Sequence, residues 1–284
     1  MRRRSFLKAG PLSLAQFPYS LHAGTVKKFA NDVVTLGPRQ VKVSRLAMGT
    51  GTNGGGGSSN QTRKLGVGGV ANLLRTAYDN GVFFFDSADQ YGSHPHVREA
   101  LKQLPREKVT VLTKIHSNTA QQAKADLDRI RRELGVEYLD IVLLHCMMDA
   151  DWNKRKRGAM DYLEEAQGRG MVKTKGVSCH TLKALETAVA EPWVEVDLAR
   201  FNPAGVAMDA GVQTVLGVLK RMKSAGKGVI GMKIIGAGRL RQRADESLQF
   251  ALASGVIDCF TIGSESVEEF KSLTTKIPDA SVRG

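Results

Sequence analysis

From about residue 40 onward the chain alternates short apolar, β-branched runs with longer stretches in which apolar side chains recur every three or four positions. The first pattern is that of a buried strand and the second that of an amphipathic helix. Strand-like runs fall near 43–48, 82–87, 109–115, 140–146, 173–178, 194–201, 228–235 and 257–263. Helical patterns fall near 68–79, 96–104, 120–134, 159–169, 181–190, 211–225, 244–254 and 266–275. Several boundaries carry their own chemistry. Asn80-Gly81 and Gly135 supply residues that accept a left-handed helix end, Gly168 and Gly170 end the fourth helix, and Glu191-Pro192 ends the fifth. Strict alternation with short connections predicts a parallel sheet, and eight units predict an α/β fold of the (β/α)8 (TIM) barrel type. An open doubly wound sheet would usually show a GxGxxG turn after its first strand, and none is present.

Composition narrows the function classes. The 284 residues are 42% hydrophobic and 24% charged, and no apolar run approaches the roughly 20 residues that a membrane span needs. Stable membrane insertion is therefore not expected. The net charge of +13 invites a nucleic-acid reading, but the one dense cluster, Lys154-Arg155-Lys156-Arg157, has no aromatic residues interleaved as a stacking platform. It is expected to be a solvated loop, and nucleic acid is not an expected partner. Cys146, Cys179 and Cys259 are too far apart for a CxxC pair and are expected to be buried thiols. His94-Pro95-His96 is expected to start a helix rather than to bind metal. The glycine-rich run 49–59 lacks the GxxxxGK[ST] pattern of a phosphate loop and is expected to be a long mobile connection at the rim.

At the N-terminus, Arg3-Arg4-Ser5-Phe6-Leu7-Lys8 resembles a twin-arginine export signal. Residues 1–35 are thus set aside as a leader or tail, 36–284 form the single barrel domain, and the resemblance implies a periplasmic destination. Such export carries folded proteins, which suits a chain that captures a cofactor in the cytoplasm.

Three consecutive strand-like runs end in polar residues. Phe83-Phe84-Phe85 leads to Asp86 and, five positions on, to Tyr91; a second run stops at Lys114 and a third at His145. In a parallel barrel the carboxyl ends of the strands are where chemistry sits. A lysine beside a phenol pulls its pKa down from about 10, a carboxylate orients the lysine, and a histidine can bond a substrate oxygen. Such a set can protonate the alkoxide formed when a carbonyl accepts hydride, which requires a nicotinamide cofactor.

The stretch Gly81-Val82-Phe83-Phe84-Phe85-Asp86-Ser87-Ala88-Asp89-Gln90-Tyr91-Gly92 resembles the signature of the aldo-keto reductases, from about residue 43 to 275. That resemblance implies an eight-stranded barrel using NAD or NADP. By it Tyr91 is the general acid, Lys114 its pKa modifier, Asp86 the lysine's partner and His145 the orienting group. It also implies cofactor contacts from Gly49, Thr50, Ser178, Asn202, Lys233, Gly263 and Ser264. Departures include Cys179 where the family has Asn, Leu198 where it has Gln, Phe201 where a ring stacks on nicotinamide, and Glu265, Glu268 and Glu269 where a 2′-phosphate would bind. The expected substrate is a small carbonyl or polyol compound, shaped by loops holding Trp152, residues 154–157 and Arg239 to Arg243. A non-catalytic nicotinamide-binding barrel is the alternative that Cys179 and Leu198 leave open.

Overall fold

The computed structural model describes residues 26–282. The leader motif Arg3–Lys8 lies outside the described residues. A two-stranded antiparallel hairpin, β1 (Val33–Leu36) and β2 (Val41–Ser44), precedes eight parallel strands. These are β3 (Leu46–Gly49), β4 (Phe84–Asp86), β5 (Thr110–Ile115), β6 (Leu139–Met147), β7 (Val172–Cys179), β8 (Val196–Arg200), β9 (Gly228–Met232) and β10 (Cys259–Ile262). They pair in sequence order, and β10 returns to β3, so the sheet closes into a barrel. All eight coincide with runs read from the sequence.

Outside the strands lie α1 (Asn60–Asp79), α2 (His94–Leu101), α3 (Ala120–Leu134), α4 (Trp152–Arg155), α5 (Arg157–Gly168), α6 (Leu182–Ala190), α7 (Val212–Ser224), α8 (Ala244–Ala253) and α9 (Val267–Ser281). Their ends follow local chemistry. Thr119 and Gln122 form a reciprocal capping box at the start of α3, and Gly135 closes it in the left-handed conformation. The pattern at 68–79 is the portion of α1 beyond a break at Gly66, where the backbone leaves helical angles.

Two apolar clusters result. The larger joins the outward side chains of the strands to the helices. The smaller fills the barrel with Ala47, Phe84, Leu112, Ile141, Leu143, Val196, Leu198, Ile230 and Met232, and is closed at its amino-terminal end by Leu36, Val41 and Val43 of the hairpin. This corrects the boundary drawn at residue 35. Strand β1 starts at Val33 because the barrel floor needs an apolar cover, and Leu46 N–H already bonds Ala30 O at 2.9 Å. Gly228 allows the fit, since a Cβ there would meet Leu36 at 2.7 Å.

Asp197 is a wall residue that breaks the apolar rule. Next to inward-facing Leu198 on β8, it points into the helix layer beside the Cys179 thiol and is fully buried. Burial pushes its carboxyl up to about 7, with Asp209 adding to the rise. An unfolded aspartate titrates near 3.9, so the folded chain holds the extra proton. Its contribution to stability is complete below about pH 4 and is lost as pH rises through 7. Asp197→Asn is therefore expected to flatten the fall in melting temperature between pH 5 and 8. At pH 8 it should melt roughly 4–8 °C above the parent, for a relief of ~2 kcal/mol. Superimposable pH profiles in differential scanning fluorimetry would refute the assignment.

Candidate active site at the carboxyl rim of the barrel

Side chains alternate across a strand, so a residue two positions beyond a barrel-interior side chain also points inward. Phe84 leads in this way to Asp86, Leu112 to Lys114, and Ile141 and Leu143 to His145. The barrel thereby brings together all four residues singled out by sequence. The Lys114 ammonium pairs with Asp86 Oδ1 and donates to Ser87 O at 2.8 Å. Thr261 Oγ1, from β10, donates to the other carboxylate oxygen at 2.8 Å. Tyr91 sits on the short 3-10 turn Asp89–Tyr91, with the Lys114 ammonium 4.8 Å from its ring centroid. The His145 ring meets the phenol edge-on at 5.8 Å.

Burial dominates the protonation states. It alone would lower the pKa of Lys114, but the Asp86 carboxylate and Tyr91 outweigh it, and the ammonium is held above its ordinary value. Burial also raises the Tyr91 phenol. Lys114 pulls it back and Asp86 pushes it up again, so the net shift is upward. This corrects the expectation of a lowered phenol pKa, because burial outweighs the pull of the lysine's charge. Burial, then the charges of Lys114 and its neighbours, drive His145 down to about 2. It is a neutral imidazole whose buried Nδ1 is engaged by no group among the described residues.

The glycine-rich segment differs from the mobile connection expected. It folds onto Tyr91: a Cβ at Gly51 would lie 2.2 Å from the ring, and one at Gly54 would lie 2.4 Å from it. Only glycine lets backbone lie that flat against a phenol. Gln61 fastens the segment by accepting from Thr52 N at 3.0 Å and donating to Thr52 Oγ1 at 2.7 Å. Gly57 N bonds Gln90 O at 3.0 Å, tying it to the turn that carries Tyr91.

From Asp86 and Tyr91 a cleft of about 360 Å³ runs outward between β9, β10, α8 and α9. Of the cofactor residues expected from sequence, Gly49, Lys233, Gly263 and Ser264 line it. Thr50, Ser178 and Asn202 stand behind it, each fully or almost fully buried. Thr50 Oγ1 donates to Asp86 O at 2.9 Å, and Ser178 Oγ accepts from Cys146 N at 3.0 Å. Asn202 clamps its own loop, with Nδ2 on Val206 O at 2.8 Å and on Lys233 O at 3.2 Å. Phe201 stacks on Phe250 of α8 at 4.7 Å, fully buried and turned from the cleft. Trp152 is buried too, its Nε1 donating to Ala184 O at 3.1 Å, so it does not shape a substrate.

The remaining charge resolves in place. Arg155 pairs with Asp149 and Asp151, Arg157 with Asp161 and Glu191, and Lys156 donates to His116 O at 2.6 Å. His94 starts α2, its ring nitrogens 2.8 Å from both Glu133 and Thr113. Asp89, His94 and Glu133 present ligand atoms within 4.8 Å of one another, but the Arg129 guanidinium already pairs with Asp89 and Glu133. Glu265 accepts from Asn60 at 2.7 Å and from Lys64, and Glu269 accepts from Glu265 N at 2.8 Å.

Three rim residues, His116, His180 and Arg200, were not singled out from the sequence, and a fourth, Cys146, expected to be a buried thiol, is only partly buried. His116 stacks near His145 at 4.8 Å, and His180 meets it edge-on at 6.3 Å. Cys146, left-handed at φ 59 in the bulge ending β6, places Sγ 3.6 Å from His180 Nε2. Arg200 ends β8 and pairs with Asp209 at 2.7 Å. Parity was the available signal. His116 lies two residues beyond Lys114, His180 two beyond Ser178, and Arg200 two beyond Leu198.

The fold recurs in known proteins. A soybean (Glycine max) probable aldo-keto reductase 1 is 31% identical over 126 residues, 39% of this chain and 35% of that protein. A Schizosaccharomyces pombe NAD/NADP-dependent indole-3-acetaldehyde reductase is 30% identical over 139 residues, 47% and 49% of the two chains. The matched stretch thus spans half or less of these relatives' length. The holo form of the aldo-keto reductase AKR11C1 from Bacillus halodurans superposes with a TM-score of 0.70 at 15% identity, covering 91% of this chain and 92% of that one. Glycerol dehydrogenase AKR11B4 from Gluconobacter oxydans gives 0.66 at 16%, covering 90% and 91%. The Aldo/keto reductase family pattern matches residues 45–275, from the first barrel strand into the last helix, and the chain belongs to that family.

Proposed function

We propose that the protein is an NAD(P)(H)-dependent oxidoreductase that interconverts a small carbonyl compound and its alcohol, with Tyr91 as the proton donor. The observation that carries this reading is the buried Lys114–Asp86 pair directly beneath Tyr91, at the inner end of a long cleft. The cleft suits a dinucleotide. Ser264 Oγ is buried in it with no hydrogen-bond partner among the described residues, Gly263 lies beside it, and the cations Arg241 and Lys276 line its outer end. Gly263 and Ser264, at the entry to α9, would hold phosphate, and Gly49 would border the nicotinamide end. Glu265 and Glu269 share the outer end with Arg241 and Lys276, so the lining offers both signs of charge and suits either NAD or NADP. When bound, the cofactor supplies or accepts the hydride.

Every other requirement falls to this chain. Neutral His145 donates a hydrogen bond to the substrate oxygen and fixes the carbonyl. Tyr91 gives its proton to that oxygen as negative charge develops on it, and Lys114 stabilises the phenolate left behind. Asp86, held by Thr261, keeps Lys114 charged and aimed at the ring. The glycine-rich segment keeps the phenol from rotating away and covers it from water.

Tyr91→Phe is expected to lower kcat by roughly 10²–10⁴-fold, the range for loss of a general acid. NADH and NADPH binding, followed by quenching of tryptophan fluorescence, should survive the change. Equal turnover by the variant would exclude Tyr91 as the donor, and binding without turnover in the parent would favour a nicotinamide-sensing role. Ser264→Ala should raise the Kd for both dinucleotides by roughly tenfold through loss of a hydrogen bond to an anion. An unchanged Kd would move the phosphate site elsewhere.

A further inference from the structure

The inner chamber carries positive charge that the proton relay does not use. Lys233, next after β9, has a left-handed backbone at φ 57. That conformation is unfavourable for a side chain larger than glycine, and it persists because Asn202 Nδ2 and Gly236 N both bond the Lys233 carbonyl. Its side chain lines the cleft with Asp86 and Tyr91. No ion pair among the described residues engages its ammonium, and its charged neighbours include Arg200 and Lys114. Strand register agrees, since Arg200 on β8 pairs with Met232, the residue before Lys233. The acids of the chamber are already committed, Asp86 to Lys114 and Asp209 to Arg200. Arg200 Nε is buried with no acceptor among the described residues, and the same guanidinium bonds the carbonyl of His180.

A half-buried ammonium facing other cations is costly unless an anion arrives to balance it. The sequence suggested a cofactor phosphate for that role. The Lys233 charge, however, is felt by His145, His180 and Cys146, the groups around the reacting centre. We infer that Lys233, flanked by Arg200 and His180, receives a carboxylate of the substrate, so that the preferred substrates are carbonyl acids and their hydroxy-acid products. This specificity rests on the reductase reading. His180 is held down to about 4, by burial first and then by Arg200, so it serves as a neutral donor beside the charge that Lys233 supplies.

The test compares kcat/KM at saturating NADH or NADPH for matched pairs of aldehydes: glyoxylate against glycolaldehyde, and succinic semialdehyde against butanal. The parent should favour the acid of at least one pair by roughly tenfold or more, the scale of one hydrogen bond to a charged group. Lys233→Met should cut the acid-to-neutral ratio by about the same factor, mainly through KM, and Lys233→Arg should largely retain it. Lys233→Gly removes the charge while relieving the left-handed backbone, and should give the same loss should the methionine variant not fold. Dinucleotide Kd should stay within about threefold in these variants, well short of the tenfold change expected for a lost contact with an anion. Equal efficiency for acids and neutral partners would overturn this specificity while leaving the reductase reading intact. A lysine variant that weakens dinucleotide binding but leaves the ratio alone would return Lys233 to the cofactor phosphate. Absence of turnover with every probe, despite cofactor binding, would remove the reductase reading and this inference together.

Discussion

A lysine ammonium inside a barrel core is tolerable only with a carboxylate against it, and the active centre is organised around that requirement. Removing either member of a buried pair leaves an uncompensated charge, a loss of about 3–5 kcal/mol. Lys114 is fully buried, and its ammonium is satisfied by Asp86 and the Ser87 carbonyl. The second carboxylate oxygen is held by Thr261 from β10. The charged pair joins the adjacent strands β4 and β5, and the Thr261 bond from β10 is added when the barrel closes. Its geometry is then set by the sheet rather than by a loop, as a site that must hold a fixed proton path requires.

Tyr91 is supported differently. It lies on a short turn, half-buried, and would be free to swing without the backbone of Gly51 and Gly54 against its ring. Gln61, at the start of α1, fastens that backbone at Thr52 and also reaches Ser264 O at 3.3 Å. One side chain thus ties the cover over the phenol to the strand–helix junction at Ser264. The segment over the phenol and the segment proposed to hold phosphate are joined mechanically.

The charge balance shows the same economy. Net charge alone says little about partners, because many surface cations meet their own carboxylates, as Arg155 and Arg157 do. What matters is which cations are left without one. Around the reacting centre, among the described residues, that is Lys233, set in a strained backbone and neighboured by Arg200 and Lys114.

The amino-acid sequence by itself determined the eight strands, the helices between them, and the four polar residues at three strand ends. Each of these rests on local periodicity, and a strand that reads Phe-Phe-Phe-Asp or Val-Leu-Leu-His states which way its last side chain points once the interior is known. Parity also held His116, His180 and Arg200, though nothing in their isolated identities distinguished them from surface residues. Only the tertiary structure decided the rest. Residues 33–35 joined the fold because the barrel needed a floor, and the glycine-rich run became a cover packed on the phenol beneath it. The phenol's pKa rose because burial outweighs the charge that Lys114 lends it. Thr50, Ser178 and Asn202 moved from contact with the cleft to its support because their hydrogen bonds close on the protein's own backbone. Burial, pairing and the competition for a charge are properties of neighbours distant in the chain, and no local pattern encodes them.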